Sequence, residues 1–388
     1  MITIEAGVLA GAMKRAAAVT ARRATIPILS HVMLRAAGDA LEIVTTDLDT
    51  EYAETLPLAG GGALATTVDA QRLAAVAGAA NKGAQIALEL ADKRLTVKSG
   101  RSRWVLPVLP VDDFPRIVFK AEAPAAIAMP GKDLAEVLTR VLWSAGTEET
   151  RYYLNGPLLH GEDGRVALAA TNGHTLMRVV TGVDLPEGAP DAILMAKWCR
   201  TVEALAREAD TASITWDARM ARATIGAVTL TGKTIDGTFP DYRRVIPPEA
   251  GDPVTVAPAA LREAIGKVAV MAEGRTRGLK LEREAGLLRL SCSGPDSGTA
   301  VADAPAECAA GYAVGFNARY LEQVLAAIGG DSVVIDGADA GARPHIHRRR
   351  TRAGEPRARG AAARLGGGRP ADRPDRRCRG RGCPGAGG

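Results

Sequence analysis

Hydrophobic residues recur at helical spacing in six separate stretches of the chain. In each stretch the apolar side chains stand three or four positions apart, which is typical of a helix with one buried face. The apolar residues are Leu9, Met13, Ala16 and Ala17; Leu73, Val76 and Ala80; Leu134, Val137, Leu138, Val141 and Leu142; Trp198, Val202, Leu205 and Ala206; Leu261, Ile265 and Val268; and Leu321, Val324, Leu325 and Ile328. The first residues of successive stretches are 64, 61, 64, 63 and 60 positions apart. This regular interval predicts an internal repeat.

The segments between these helices have the composition and turn residues of short β-strands. They include residues 41–45, 85–90, 95–99, 165–170, 213–216 and 287–291. One helix followed by about four strands forms the repeating unit, and two units make a domain of ordinary size. Pro/Ala/Glu-rich stretches near 120–130 and 247–253 mark the boundaries. We therefore predict an α+β protein of three tandem domains, each with two helices packed on antiparallel sheets, at residues 1–120, 126–247 and 253–342.

The third repeat does not continue to its end. A strand pattern at residues 332–336 is followed by Arg, Gly, Pro and Ala with almost no branched apolar residue. Such a segment buries too little apolar surface to offset its ordering entropy. We therefore expect domain three to be incomplete and residues 343–388 to be a disordered tail. The abrupt change suggests the hypothesis of a reading-frame shift in a GC-rich gene, which the nucleotide sequence would test.

The formal charge of +5 is unevenly distributed. Residues 343–388 contain 14 Arg and three acidic side chains, a net charge of +11, whereas residues 1–342 hold 35 basic and 41 acidic side chains, a net charge of −6. The basic pI therefore reflects the tail and is not evidence that the body binds nucleic acid. Basic residues do recur on or beside the helices, a pattern that fits a phosphate-facing surface and a merely solvated helix face equally well. These residues are Lys14, Arg15, Arg22, Arg23, Arg72, Lys132, Arg140, Lys197, Arg200, Arg262, Lys267 and Arg319.

No catalytic motif emerges from the sequence. A Walker-type phosphate loop, a G-x-S-x-G turn and an H-E-x-x-H helix are all absent, and the five cysteines include no C-x-x-C pair. We interpret Asp47 and Asp49 as a polar turn before a strand at 51–56, and His174 as a structural or surface residue. We accordingly expect no catalytic residue, no metal and no cofactor.

Nothing in the sequence indicates a membrane or export segment. There is no uninterrupted apolar run of about 18 residues, and the N-terminus lacks a basic-then-apolar leader. We therefore expect a cytoplasmic protein.

Several motifs are specific enough to indicate a family. They are TIPIL at 25–29, GRSR at 100–103, LPVDDFP at 109–115, RYYLNG at 151–156, ATNGH at 170–174, DGTFPDYRRVIP at 236–247 and GFN at 315–317. In this order and spacing they resemble the bacterial beta sliding clamp, the beta subunit of DNA polymerase III, over about residues 1–340. The resemblance implies a non-catalytic processivity factor: a head-to-tail homodimeric ring that encircles duplex DNA without sequence specificity and tethers the replicative polymerase.

By position, the resemblance implies three groups of functional residues. DNA contacts would involve Arg22, Arg23, Arg72, Glu148, Tyr152, Tyr153 and Lys197. At Glu148 the family often has Gln, and an acid there would weaken contact with phosphate. A cleft for short apolar-anchored motifs of the polymerase III catalytic subunit, the clamp loader and other partners would be lined by Leu154, Thr171, Gly173, His174, Thr175, Leu176, Pro240 and Val245. Subunit contacts would join Trp104 and Leu106 of one copy to Val270 and Met271 of the other.

The sequence departs from the family at its end, where the Met-Pro-x-Arg-like terminus is not found. Loss of that strand would expose backbone groups and remove a cleft wall, so we predict weak or absent binding of partner peptides. Three alternatives to a working clamp stay open. The chain could be a defective or decoy subunit, the Arg-rich tail could be a nucleic-acid-binding arm, or Asp47, Asp49 and Asp241 could serve a metal-dependent nuclease or transferase.

Overall fold

The computed structural model describes residues 1–20, 25–246, 253–272, 277–294, 298–336 and 345–348, together with the backbone of residues 357–362. Within these ranges the chain forms three domains, each with two helices and eight strands. Domain one consists of β1 (Ile2–Glu5), α1 (Ala6–Val19), β2 (His31–Ala37), β3 (Ala40–Thr46), β4 (Thr50–Pro57), β5 (Ala63–Asp69), α2 (Ala70–Ala79), β6 (Gln85–Ala91), β7 (Arg94–Ser99) and β8 (Ser102–Leu109).

The second and third domains repeat this order of elements. Domain two consists of β9 (Ala125–Pro130), α3 (Gly131–Leu142), β10 (Leu158–Glu162), β11 (Arg165–Thr171), β12 (Thr175–Asp184), β13 (Ala192–Ile193), α4 (Ala196–Ala206), β14 (Thr211–Trp216), β15 (Met220–Ile225) and β16 (Val228–Lys233). Domain three consists of β17 (Val254–Val256), α5 (Pro258–Ala269), β18 (Gly278–Glu284), β19 (Leu287–Gly294), β20 (Gly298–Glu307), β21 (Ala313–Asn317), α6 (Ala318–Ile328), β22 (Val333–Asp336), β23 (His345–Arg348) and β24 (Arg357–Ala362).

All six predicted helices are confirmed. Three of them begin at a side chain that accepts hydrogen bonds from first-turn amides, namely Glu5, Asp69 and Asn317. Such caps satisfy amides that have no partner within the helix. The apolar residues that predicted the helices are buried, as Leu9, Leu138 and Leu321 illustrate, and they belong to one continuous core between the helix pairs and the sheets.

The strands form two twelve-stranded antiparallel sheets that cross the domain borders. Between domains one and two, β4 pairs with β16, so that Thr50 lies opposite Gly232 and Glu54 opposite Val228. Between domains two and three, β12 pairs with β24, from Thr175 opposite Ala362 to Val180 opposite Arg357. The two junctions use equivalent strands of the repeat, because β4 corresponds to β12 and β16 corresponds to β24 in the order of elements.

Two strands lie beyond residue 342, where the sequence pattern predicted a disordered tail. Residues 345–348 form β23, which pairs with β22, and residues 357–362 form β24, which pairs with both β23 and β12. Predicted disorder is therefore contradicted at these two segments, while the rest of 343–388 lies outside the described residues. The physical reason is that a strand is joined to its neighbours by backbone groups, which Arg, Gly and Ala supply as well as Val or Ile does.

The segment between domains one and two lies across the sheet that the two domains share. The Arg116 guanidinium pairs with Glu51 at 3.1 Å and with Glu42 at 3.2 Å, and the guanidinium of Arg222 stacks 4.9 Å from the ring centre of Phe119. Contacts on both sides of the border therefore hold this linker.

No helix among the described residues is long and apolar enough to span a membrane. In the same part of the chain, no three His, Cys, Asp or Glu side chains are grouped so that they could hold a metal ion.

Candidate functional site

The first group of predicted DNA-contacting residues lies around the C-terminal end of α1. Arg72 is exposed in the first turn of α2, and the neighbouring Gln71 amide donates to the Ala17 carbonyl at 2.9 Å. Lys197, in the first turn of α4, donates to the Val19 carbonyl at 3.4 Å and forms an ion pair with Asp47. The structure therefore brings Arg72 and Lys197 to one place. Arg22 and Arg23 lie outside the described residues, two and three positions beyond Thr20.

The second group lies on the loop after α3. Tyr152 and Tyr153 begin a 3₁₀ turn (Tyr152–Leu154) and meet edge to face at 5.8 Å between ring centres. Tyr152 is exposed, whereas Tyr153 packs against a buried apolar cluster. The Glu148 carboxylate accepts from the Arg151 guanidinium at 2.7 and 2.9 Å. Its negative charge is thus compensated locally by Arg151, which was not among the predicted site residues.

The turn between β11 and β12 carries four of the predicted cleft residues. The Asn172 side-chain oxygen accepts from the backbone amides of His174 and Thr175 at 2.9 and 2.8 Å, and the Thr171 hydroxyl donates to the Thr175 carbonyl at 2.7 Å. Gly173 has a φ of +85°, a conformation that glycine adopts without steric cost. Asn172, which belongs to the ATNGH motif but was not a predicted site residue, holds the turn through these hydrogen bonds.

Apolar side chains line the predicted cleft on the domain-two side. Leu154 and Leu176 are buried, while Val245 and Pro240 are exposed. A shallow pocket of about 150 Å³ lies between the loop after α3 and the turn, with Leu154, Arg151 and His174 among its lining residues.

Domain three contacts this turn through α6. The His174 ring stacks on Tyr320 of α6, with ring centres 6.4 Å apart and planes inclined by 18°. His174 is therefore a contact between two domains, in line with the structural role expected for it. Tyr320 was not predicted, because no pattern in the sequence shows which residue of α6 meets domain two.

A buried polar network lies on the same face of the domain-two sheet. The Tyr242 hydroxyl is 3.0 Å from His160 Nε2 and 3.2 Å from Glu162 Oε2, and Glu162 pairs with Arg178 at 2.5 Å. Burial lowers the pKa of His160 and raises the pKa of Tyr242 to about 12, because a low-dielectric surrounding disfavours the charged form of each group.

Strands β8 and β20 each have one edge that is largely without a partner strand in the described part of the chain. β8 pairs with β5 only at Val108 and Leu109, and β20 pairs with β17 only at Ala306 and Glu307. The outer edges of residues 102–107 and 298–305 are therefore open. Val105 and Val301 are exposed on these two strands.

The predicted subunit-contact residues lie near these edges in different environments. Leu106 is buried and Trp104 packs against the core, so their side chains point inward. Val270, which is 79% exposed, and Met271 follow α5 at the surface. On β8, a contact with another chain would thus be made by the strand edge and Val105 rather than by Leu106.

The carboxylates of the nuclease alternative are already paired. Asp47 accepts from the amides of Asp49 and Thr50 and faces Lys197. Asp49 pairs with Lys233 at 3.0 Å, and Asp241 pairs with Arg244 at 3.0 Å. The interpretation of Asp47 and Asp49 as a polar turn before a strand is confirmed, since β4 begins at residue 50.

Three repeated α+β domains, joined edge to edge by shared sheets, define the DNA-clamp class of folds. Family models for the DNA polymerase III beta subunit match the chain in three parts: the N-terminal domain at residues 1–118, the central domain at 128–241 and the C-terminal domain at 243–346. The chain belongs to the family of bacterial DNA polymerase III beta subunits.

Relatives and solved structures agree with this assignment. The beta sliding clamp of Caulobacter vibrioides is 33% identical over 353 residues, which cover 87% of this chain and 93% of the relative. The sliding clamp of Bartonella birtlesii bound to griselimycin has a TM-score of 0.87 at 30% identity, covering 94% of this chain and 98% of that one. The Pseudomonas aeruginosa clamp bound to griselimycin has the same TM-score and coverage at 29% identity.

Proposed function

We propose that this chain is a DNA sliding clamp: two copies close head to tail into a ring around duplex DNA and tether the replicative polymerase III. The repeated domain junction is the observation that carries the proposal. Strands β4 and β12 each pair with a strand of the next domain, at β16 and β24. The equivalent strand of domain three is β20, and the equivalent acceptor is β8 of domain one; each of these strands has an open edge.

Pairing of β20 with β8 of a second copy would repeat the same junction between chains. Two such contacts would join six domains into a closed ring with no open edge left at these strands. The arrangement satisfies backbone donors and acceptors that would otherwise stay exposed, and a head-to-tail contact between two different edges forms a ring when the rotation closes after two copies. The expected contact between domain one and domain three follows from the same pairing.

The DNA-facing residues fit contact without sequence reading. Arg72 and Tyr152 are exposed, and Lys197 is exposed although it pairs with Asp47. A body of net charge −6 limits attraction elsewhere. Contacts of this kind reach phosphates rather than base edges, so they are weak, salt-dependent and compatible with sliding. Arg22 and Arg23 are proposed for the same role on the basis of the family resemblance.

The partner cleft would receive short segments of the polymerase, the clamp loader and other partners. Weak peptide binding was expected from a missing strand, whereas β24 pairs beside the cleft strand β12. We therefore propose a working cleft with Leu154, Leu176, Pro240 and Val245 on the domain-two side. The protein would act in the cytoplasm as a subunit with no chemistry of its own.

Retention on circular DNA tests the proposal, because a ring is held by topology rather than by affinity. The chain is loaded by a bacterial clamp loader and ATP onto nicked circular duplex DNA and passed through a sizing column at moderate salt. We expect it to elute with the circle and to be released when a restriction enzyme linearises the DNA. Equal retention on circular and linear DNA, or none on either, would contradict the proposal.

A further inference from the structure

The segment from Pro240 to Ile246 is held in place by few backbone contacts. It forms a single 3₁₀ turn (Tyr242–Val245), with weak internal hydrogen bonds of 3.4 Å from the Arg244 amide to Asp241 and 3.3 Å from the Ile246 amide to Arg243. No strand of the described chain pairs with it. Something other than backbone pairing must therefore fix Pro240 and Val245 beside the cleft.

The side chain of Tyr242 meets that need. Its ring is 2% exposed and packs in one apolar cluster with Leu158, Ala169, Leu176 and Ile193. Leu176 is itself a cleft residue, so the same cluster joins the segment to the cleft floor. Packing alone would permit the ring to slide along this surface, whereas its hydroxyl group can fix the depth and direction of insertion.

The hydroxyl reaches two acceptors at the bottom of this pocket. His160 Nδ1 lies 2.9 Å from the Gly161 carbonyl, which can only accept, so this nitrogen carries the proton and leaves Nε2 free to accept from Tyr242 at 3.0 Å. Glu162 Oε2 lies 3.2 Å from the same hydroxyl.

Charged groups surround the network on several elements. Arg178 of β12 holds Glu162, and Arg243 stacks 5.2 Å from the Tyr242 ring centre, with Nη2 3.4 Å from His160 Nδ1. Asp191, before β13, adds a further negative charge near His160. With Glu162 fixed by Arg178 and His160 fixed by its own backbone contact, the acceptors are preorganised before Tyr242 arrives.

We propose that His160, Glu162 and the Tyr242 hydroxyl form a positioning device that holds the Pro240–Val245 wall of the partner cleft in its binding-competent place. The inference rests on the proposed function of the cleft. Tyr242 would not touch the bound peptide. Loss of the Tyr242 hydroxyl would lower the fraction of molecules in which the wall is in place. The apparent Kd rises in inverse proportion to that fraction.

The experiment removes only the hydroxyl, with Tyr242→Phe in the full chain. The probe is griselimycin, which is bound in the crystal structures of two related clamps. Its binding is measured by isothermal titration calorimetry. We expect the Kd to rise about three- to tenfold, as for the loss of one buried hydrogen bond. His160→Leu should raise the Kd by no more than Tyr242→Phe does, because Glu162 can still accept from the hydroxyl. The double variant should be no worse than Tyr242→Phe alone, and His160→Gln, which retains an acceptor, should bind nearly as the natural chain does.

Thr181→Val is the matched control. Thr181 is buried on β12, and its hydroxyl donates to the Val166 carbonyl at 2.8 Å and accepts from the Val183 amide at 3.2 Å. The variant therefore also loses buried hydrogen bonding but leaves the segment untouched. We expect a similar fall in stability with an unchanged Kd. A Kd that rises equally in Thr181→Val would overturn the positioning role.

Hydrogen exchange of the unliganded protein separates this inference from the proposed function. We expect the amides of Arg244 and Ile246 to exchange faster in Tyr242→Phe than in the natural chain, while the core strands exchange equally. Unchanged exchange at these amides would overturn the inference. Failure of the natural chain to bind griselimycin would count against the cleft alone, and the exchange result would still decide whether the network positions the wall.

Discussion

The two domain junctions have the same topology and different support. At the first, Val228, Leu230 and Thr231 of β16 are buried and Thr229 is partly buried, so most of this strand packs against its neighbours. At the second, the equivalent strand β24 has the sequence RARGAA and no large apolar residue. The same place in the sheet is thus filled by two sequences of opposite character. Both strands pair through backbone groups with the edge of the neighbouring domain. An open sheet edge can therefore order a strand that the side-chain pattern alone does not predict.

Among the described residues, more side-chain contacts support the first junction than the second. Trp198 lies fully buried beneath β16, and its indole nitrogen donates to the Leu230 carbonyl at 3.2 Å. Lys197 and Lys233 of domain two pair with Asp47 and Asp49 of domain one. Across the second junction, the described ring contact is the stack of His174 on Tyr320. We therefore expect the first junction to be the more stable of the two.

The largest effect should come from Trp198→Ala, which removes the support beneath the first junction. Replacing a fully buried Trp by Ala costs about 4 kcal/mol of unfolding free energy, because a cavity remains where the ring was. Urea unfolding measures this loss, and hydrogen exchange should show faster opening of β4 and β16.

Trp216→Ala is the control, since Trp216 is equally buried and its indole donates to the Pro190 carbonyl at 2.9 Å. We expect a comparable loss of stability without selective opening of β4. A loss below about 1 kcal/mol for Trp198→Ala would refute its supporting role.

The second junction is tested by two truncations of the tail. Ending the chain at residue 356 removes β24 and leaves β12 and β23 without their shared partner, which we expect to cost about 3 kcal/mol from the lost ladder hydrogen bonds. Ending it at residue 362 retains all six paired residues and should leave stability unchanged. Equal unfolding curves for the two truncated chains would show that β24 contributes nothing.

A smaller effect is expected at alkaline pH, through one tyrosine near each junction. Burial raises the pKa of Tyr52, which contacts Glu54 on β4, and raises the pKa of Tyr242 to about 12. A phenol whose pKa is higher in the folded state stabilises the fold below its ordinary value of about 10 and loses that contribution as the pH rises through the folded value. Stability should therefore fall from about pH 10 upward, and less steeply in Tyr52→Phe and in Tyr242→Phe. An identical slope in both variants and the natural chain would be inconsistent with this account.

The smallest effect is expected from the ion pairs of the first junction. Lys197→Ala and Lys233→Ala each remove one pair between partly exposed groups, which contributes about 0.2–1 kcal/mol and is weakened by salt. Thermal unfolding at low and high salt should show a loss that nearly vanishes at 1 M salt. Lys267→Ala, which removes an exposed pair within α5, is the control that leaves the junction intact. A salt-independent loss would show that these lysines act by packing instead.

The repeat and its helices were predictable because a helix with one buried face has apolar residues at every third or fourth position. The helical spacing at Leu9, Leu134 and Leu261 required no knowledge of which sheet each helix meets. Residues 357–362 have no such spacing, because β24 is joined through backbone groups that every sequence carries. The pattern of apolar residues therefore did not predict β24.

The functional residues were predictable only where a motif carries them. His174 and Thr171 belong to a specific motif, and the structure places both in one turn. The stack of His174 on Tyr320 and the partnership of His160 with Tyr242 join positions far apart in sequence. Such pairs become visible only when the sheet brings their strands together.

The solution mass of the full chain tests the central account most directly. Light scattering at low micromolar concentration and moderate salt measures the molar mass, which shows whether β8 of one copy pairs with β20 of another. The ring account predicts a dimer of twice 40.3 kDa. A monomer of 40.3 kDa at this concentration would contradict it, because a single chain leaves both edges open and cannot encircle DNA.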